Sequence, residues 1–256
     1  MRMLRFAQTA IAAAALAFAA PGANAAGGGA HIESQDWSFG GIFGTFDRAA
    51  AQRGYQVYKD VCAGCHSMNL MSYRYLEGIG LPADTVKALA ATAEKTAIND
   101  DGEEITVPRT PADRFPAPFK NVKEARASNG GALPPDLSLI AKARANGPNY
   151  LYGLLTGYHE APADVHVNEG MYYNAAFDGN QIAMAPPLAE GLVEFSDGTK
   201  ATLDQMAHDV VTFLTFAAEP HMEARKRTGI KVVAFLLILS VLLYFVKKKV
   251  WSNLDH

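Results

Sequence analysis

A chain of 256 residues can hold one domain of ordinary size together with targeting and anchoring sequence. Its composition is that of a globular protein, 49% hydrophobic, and its formal net charge of −3 averages unlike parts. Residues 26–222 carry 14 Lys and Arg against 24 Asp and Glu, a net charge of −10, which argues against a nucleic-acid-binding surface and favours basic protein partners.

In chain order, the first predicted element is a secretory signal. Arg2 and Arg5 precede an apolar run at 11–20, and Ala23-Asn24-Ala25 supplies a small-residue cleavage site. The segment is neither Arg-rich nor Ser-rich, so a bacterial exported protein is expected rather than a mitochondrial import. Cleavage would leave a head of residues 26–224 beginning with a glycine lead at 27–29. Residues 47–58 predict a helix that runs into the only two cysteines. An Ala-rich stretch at 87–95 also predicts a helix. Asp101-Gly102 predicts a hairpin turn between short strands at 96–98 and 105–107. Residues 110–119 contain three prolines and read as extended. After Pro134-Pro135, residues 136–145 predict a helix, and 150–155 begin another. Residues 157–187 are rich in Gly, Pro and aromatics and read as irregular. Thr202 and Gln205 fit a capping box, followed by Leu203, Met206, Val210, Phe213 and Leu214 at helical spacing, with Pro220 beyond the stop. The head is therefore expected to be mainly α, with loops.

Residues 230–246 form a second apolar block. At 1.5 Å per residue a helix there spans roughly 25 Å, close to the hydrocarbon thickness of a bilayer once Lys231 snorkels. Basic residues flank it on both sides, so charge alone does not orient it. The signal does: residues 225–249 form one transmembrane anchor, and 250–256 a cytoplasmic tail. The expected location is the bacterial inner membrane, single-pass, with the head in the periplasm and lipid around the anchor.

Cys62-Ala63-Gly64-Cys65-His66 has the C-x-x-C-H spacing of a c-type haem attachment. Two thiols add across the vinyl groups at one porphyrin edge, and the adjacent imidazole reaches iron from one face. A thioredoxin-like C-x-x-C expects a βαβ context that is absent, and half of a zinc site would need a second ligand pair. The second axial ligand is sought among His31, His159, His166, His208, His221 and His256, and among Met68, Met71, Met171, Met184, Met206 and Met222. Met206 reads as core and Met222 as membrane-surface packing. Met184 stands in the stiff, small-residue run Ala183-Met184-Ala185-Pro186-Pro187, able to aim a thioether at iron, although methionine is more often packing. His–Met ligation would raise the reduction potential.

Taken together these residues resemble the cytochrome c1 family, the haem subunit of the cytochrome bc1 complex. The resemblance rests on Trp37-Ser38-Phe39, residues 43–48, residues 62–68, residues 131–138, Leu155-Thr156-Gly157-Tyr158, residues 184–188 and residues 219–225, and it covers most of the expected mature chain. It implies a class I cytochrome c-like haem domain with loop insertions. It implies one haem c, covalent through Cys62 and Cys65, with His66 and Met184 on iron. It further implies that Arg144 and Tyr150 contact haem propionates, with Asn129 nearby. Its implied partners are cytochrome b, a Rieske iron–sulfur protein and a soluble basic c-type cytochrome, in a dimeric complex. No substrate bond is made or broken at such a haem, so the subunit is not a catalyst alone. The alternatives are a membrane-tethered monohaem shuttle to a terminal oxidase and a haem enzyme such as a peroxidase, which would need an open distal position.

Overall fold

A computed structural model describes residues 32–253. The predicted signal, the glycine lead, His31 and the last three residues of the tail lie outside them. The described chain is mainly helical, with two antiparallel two-stranded ribbons and one long apolar C-terminal helix.

Helix α1 (Arg48–Val57) starts at Asp47, whose carboxylate accepts from the Ala50 amide at 3.1 Å. It widens into a π-helical turn, Tyr58–Cys62, which delivers the first cysteine. A 3₁₀ segment, Tyr73–Ile79, leads to α2 (Ala83–Ala91). Strands β1 (Glu94–Ile98) and β2 (Glu104–Pro108) pair in register from Glu94 opposite Pro108 to Ile98 opposite Glu104, with Asp101-Gly102 at the expected turn. The helix expected at 87–95 thus lies earlier, after Pro82, and Glu94 and Lys95 belong to the ribbon. Next come α3 (Val122–Ser128) and α4 (Gly147–Thr156). Strands β3 (Tyr172–Tyr173) and β4 (Gln181–Ile182) pair within the irregular stretch.

The helix expected over 136–145 does not form; successive turns take its place. The amides that would begin it are engaged elsewhere. The Leu137 amide donates to the Ser67 carbonyl at 2.8 Å, and the Ser138 amide donates to the Asp136 carboxylate at 2.8 Å. A side chain that captures nearby amides offers the backbone an alternative to the helix.

Helix α5 (Leu203–Ala218) is the centre of the core. Thr202 caps it by accepting from the Gln205 amide at 3.2 Å, but the Gln205 side chain turns away to Asp209, so only half of the expected box forms. Met206, Val210, Val211, Phe213 and Phe216 are buried along it, and α1 crosses it at close range. A Cβ on Gly54 would lie 1.9 Å from the Asp209 carbonyl oxygen, so only glycine permits that approach. Beside the crossing, Arg53 donates to the fully buried Asp209 carboxylate at 2.7 and 3.2 Å and to Asp197 at 2.8 Å. The hydrogen bond to Asp209 outweighs burial and holds the guanidinium firmly charged. Removing one partner of such a buried pair costs about 3–5 kcal/mol.

Helix α6 (Met222–Val250) is long and apolar enough to cross a membrane, and none of its apolar window is buried. Its first turns belong to the head. Met222, expected at the membrane surface, is packed into the core. Glu219, just before α6, accepts from Lys142 at 3.0 Å and from Arg225. Glu223 accepts from Arg48 at 2.8 Å and from the Phe46 amide at 2.9 Å. Lys226 donates to the carbonyls of Phe39 at 2.7 Å and Gly44 at 3.1 Å.

Candidate functional site

The π-helical turn ends at Cys62, and a tight turn comes after it in which the Cys65 and His66 amides donate to the Cys62 carbonyl at 3.1 and 2.9 Å. This presents two thiols and an imidazole from one five-residue arc. Neither cysteine forms a disulfide. Burial, and then the neighbouring Cys65, push the Cys62 thiol up to about 12, which makes it a poor nucleophile at neutral pH and unlike an exchanging C-x-x-C. Gly64 faces open space: a Cβ there would meet nothing within 4 Å.

The half-buried His66 ring is oriented by its neighbour. Its Nδ1 donates to the Pro135 carbonyl at 2.8 Å. A carbonyl can only accept, so the proton sits on Nδ1 and the Nε2 lone pair is left for a metal. Burial lowers the imidazole pKa, which keeps that lone pair free. Among the described residues, no group of three or more His, Cys, Asp and Glu could hold a metal ion. Two thiols for covalent bonds and one neutral imidazole for an axial position are the donor set that haem c requires, its tetrapyrrole supplying the remaining ligands.

A polar lattice braces this arc against residues 134–138. The Asp136 carboxylate accepts from Ser67 Oγ and the Asn69 amide, each at 2.8 Å, as well as from the Ser138 amide. Burial pushes Asp136 up, but these hydrogen bonds outweigh it and hold the carboxyl below its usual range. Ser138 Oγ accepts from the Leu70 amide at 2.9 Å.

Met184 lies beyond β4, half-buried between exposed alanines. Its carbonyl accepts from the Tyr158 hydroxyl at 3.1 Å. Tyr158 is raised by burial and, secondarily, by Tyr150. Tyr150 is in turn raised chiefly by burial, and the charge of nearby Arg144 pulls the other way. Arg144, Tyr150, Tyr158 and the Met184 segment therefore form a chain of neighbours, and Arg144 lies on the same loop as Pro135. Asn129 ends α3, where its side-chain amide donates to the Ala125 carbonyl at 2.7 Å; these contacts are local to its helix. Sequence reasoning assigned no role to Tyr158, Asp136 or the Pro135 carbonyl. No spacing announces the Tyr158–Met184 pair across 26 residues.

Comparison with known proteins bears on the same residues. A model of the cytochrome c1 family matches residues 37–254. The chain is 45% identical over 272 aligned residues to cytochrome c1 of Rhodospirillum rubrum, covering 99% of this chain and 100% of that one. It is 47% identical over 240 residues to cytochrome b/c1 of Bradyrhizobium diazoefficiens, covering 85% of this chain and 35% of that one. It is 50% identical over 221 residues to a mitochondrial cytochrome c1 heme protein of Arabidopsis thaliana, covering 85% of this chain and 71% of that one.

Proposed function

We propose, because the chain belongs to the cytochrome c1 family, the haem subunit of the bc1 complex, that it takes single electrons from a Rieske iron–sulfur protein and passes them to a soluble basic c-type cytochrome. The observation that carries the reading is the His66 ring, its Nδ1 committed to the Pro135 carbonyl beside two cysteines that are not joined in a disulfide. When bound, haem c supplies reversible one-electron chemistry. Cys62 and Cys65 would hold it covalently, and His66 would present Nε2 to the iron. Met184 would also hold the iron, its segment retained by Tyr158. Arg144 and Tyr150 would contact its propionates, with Asn129 nearby.

In this reading residues 1–25 are removed, 26–224 form the periplasmic head, 225–249 anchor it and 250–256 stay in the cytoplasm. The anchor helix and the bacterial relatives support a single-pass inner-membrane protein. A relative named cytochrome b/c1 supports cytochrome b as a neighbour, in a complex that we take to be dimeric. The acidic head suits steering of a basic acceptor, a task in which long-range attraction raises the encounter rate.

Stopped-flow oxidation of the reduced protein by a basic cytochrome tests this. The Debye length falls from about 30 Å at 0.01 M salt to about 10 Å at 0.1 M, so the bimolecular rate should fall steeply across that range. A flat rate would refute steering. Absence of cytochrome b and a Rieske protein from the purified native complex would refute the assembly.

A further inference from the structure

We propose that the loop tip at residues 40–43 is a second membrane contact, which sets Ile42 and Phe43 into the lipid interface beside the anchor helix. The tip is apolar and open: Ile42 is 68% exposed and Phe43 82%, and both flanking glycines, Gly40 and Gly41, are exposed. Exposure alone would say little. The loop's place along α6 gives it meaning.

Two points fix that place. Phe46 is tied to Glu223, in the first turn of α6. Gly44 and Phe39 are tied to Lys226, three residues further along. As the chain is traced from residue 46 back to 44, its partner on α6 advances from 223 to 226, about 4.5 Å along the axis. The limb from Phe46 to Gly44 therefore descends α6 towards its apolar stretch, and the other limb meets it at the same lysine through the Phe39 carbonyl. The tip comes next, beyond Lys226, and the apolar block begins only four residues after that lysine, at Ile230. One further step of similar length brings the tip to the boundary, within the 5–10 Å depth that interfacial apolar residues occupy.

The shape is built in rather than loose. Gly41 has φ +63°, and a Cβ on Gly44 would lie 1.9 Å from the Gly40 carbonyl oxygen, so the limbs close as they do only with glycine at 44. Phe39 is buried and stacked on Trp37, and Phe46 packs edge-on against Phe216, which holds the base of the loop to the core. Exposed Arg225 and Arg227 stand at the same level of α6, and Lys231 just below. Apolar residues with an aromatic at the tip and cations alongside match a phospholipid interface.

The inference rests on α6 being the membrane anchor, and the test reads the two separately. The full-length haem protein is reconstituted in phosphatidylcholine–phosphatidylglycerol vesicles doped with a phospholipid carrying a diazirine on its acyl chain. After illumination, adducts are located by peptide mass spectrometry. Adducts at Ile42 and Phe43 are expected together with adducts along α6, and none at Ile98, an exposed apolar residue on the distant ribbon. Labelling of α6 without the tip would overturn this inference and leave the anchor standing. No labelling of α6 would overturn the anchor and the inference with it. Repeated on the native complex in its own membrane, lipid adducts at the tip should persist; their replacement by cross-links to another subunit would overturn lipid as the occupant. Phe43→Ser should reduce tip labelling several-fold while labelling of α6 is unchanged, and equal labelling in that variant would also count against the proposal.

Discussion

After His66 the chain is gripped at nearly every residue: Ser67, Asn69 and Leu70 each bond to residues 136–138, and the Pro135 carbonyl holds the imidazole itself. Around Met184 a single phenol, from Tyr158, takes the carbonyl, and Pro186 and Pro187 stiffen the backbone on its C-terminal side. The first side fixes a ring by hydrogen bonds, as the ligand role proposed for His66 requires, since orientation sets a ligand's basicity. The second restrains the backbone mainly by proline, which lowers the number of conformations available rather than adding contacts. A thioether has no proton to place and three rotatable bonds with which to reach, so a lighter hold suffices.

The comparison can be broken most completely at the cysteines. Cys62→Ala combined with Cys65→Ala should abolish haem that survives denaturation, read by intact-mass analysis; retention of such haem would sink the covalent assignment. Next in size is Met184→Leu, which should lower the reduction potential by on the order of 0.1 V or more, since methionine favours the reduced iron. An unchanged redox titration would remove Met184 from the iron. On the gripped side, Asp136→Ala strands two amides and a hydroxyl and should cost about 2–4 kcal/mol of head stability, measured by denaturant unfolding. The lattice would be ornamental if unfolding were unaltered. Smallest is Tyr158→Phe, expected to cost about 1 kcal/mol in global unfolding and to speed amide exchange at residues 183–185 by about fivefold. Equal exchange in both proteins would show that the prolines alone hold the loop.

Local chemistry was legible in the sequence and distant partnership was not. The tight cysteine–histidine arc, the Asp101-Gly102 turn and the long apolar helix are each set within a few residues. Residues 136–145 misled because Leu137, Ile140 and Ala141 do point inwards at near-helical spacing, but as successive turns whose first amides serve Ser67 and Asp136. Asp209 gave no sign of burial, since one carboxylate on an amphipathic helix reads as solvated and its arginine lies 156 residues earlier. The Thr202 cap was correct, yet its expected reciprocal partner, Gln205, had a stronger claim on it from that same buried carboxylate.

The unbroken helix α6 has a consequence of bearing and height. Its 29 residues make about 44 Å, against a hydrocarbon core of about 30 Å, so its upper turns stand clear of the bilayer and are riveted to the head at Glu223 and Lys226. The compass direction in which the head faces is then counted in residues. One residue inserted between Thr228 and Ile230 would swing the head by about 100° and lift it by about 1.5 Å. Seven inserted residues would return it to within about 20° of its original bearing while lifting it about 10 Å. Under the proposed function, delivery of electrons from a neighbour fixed in the same membrane should fail in the first case through misdirection, and in the second through distance alone.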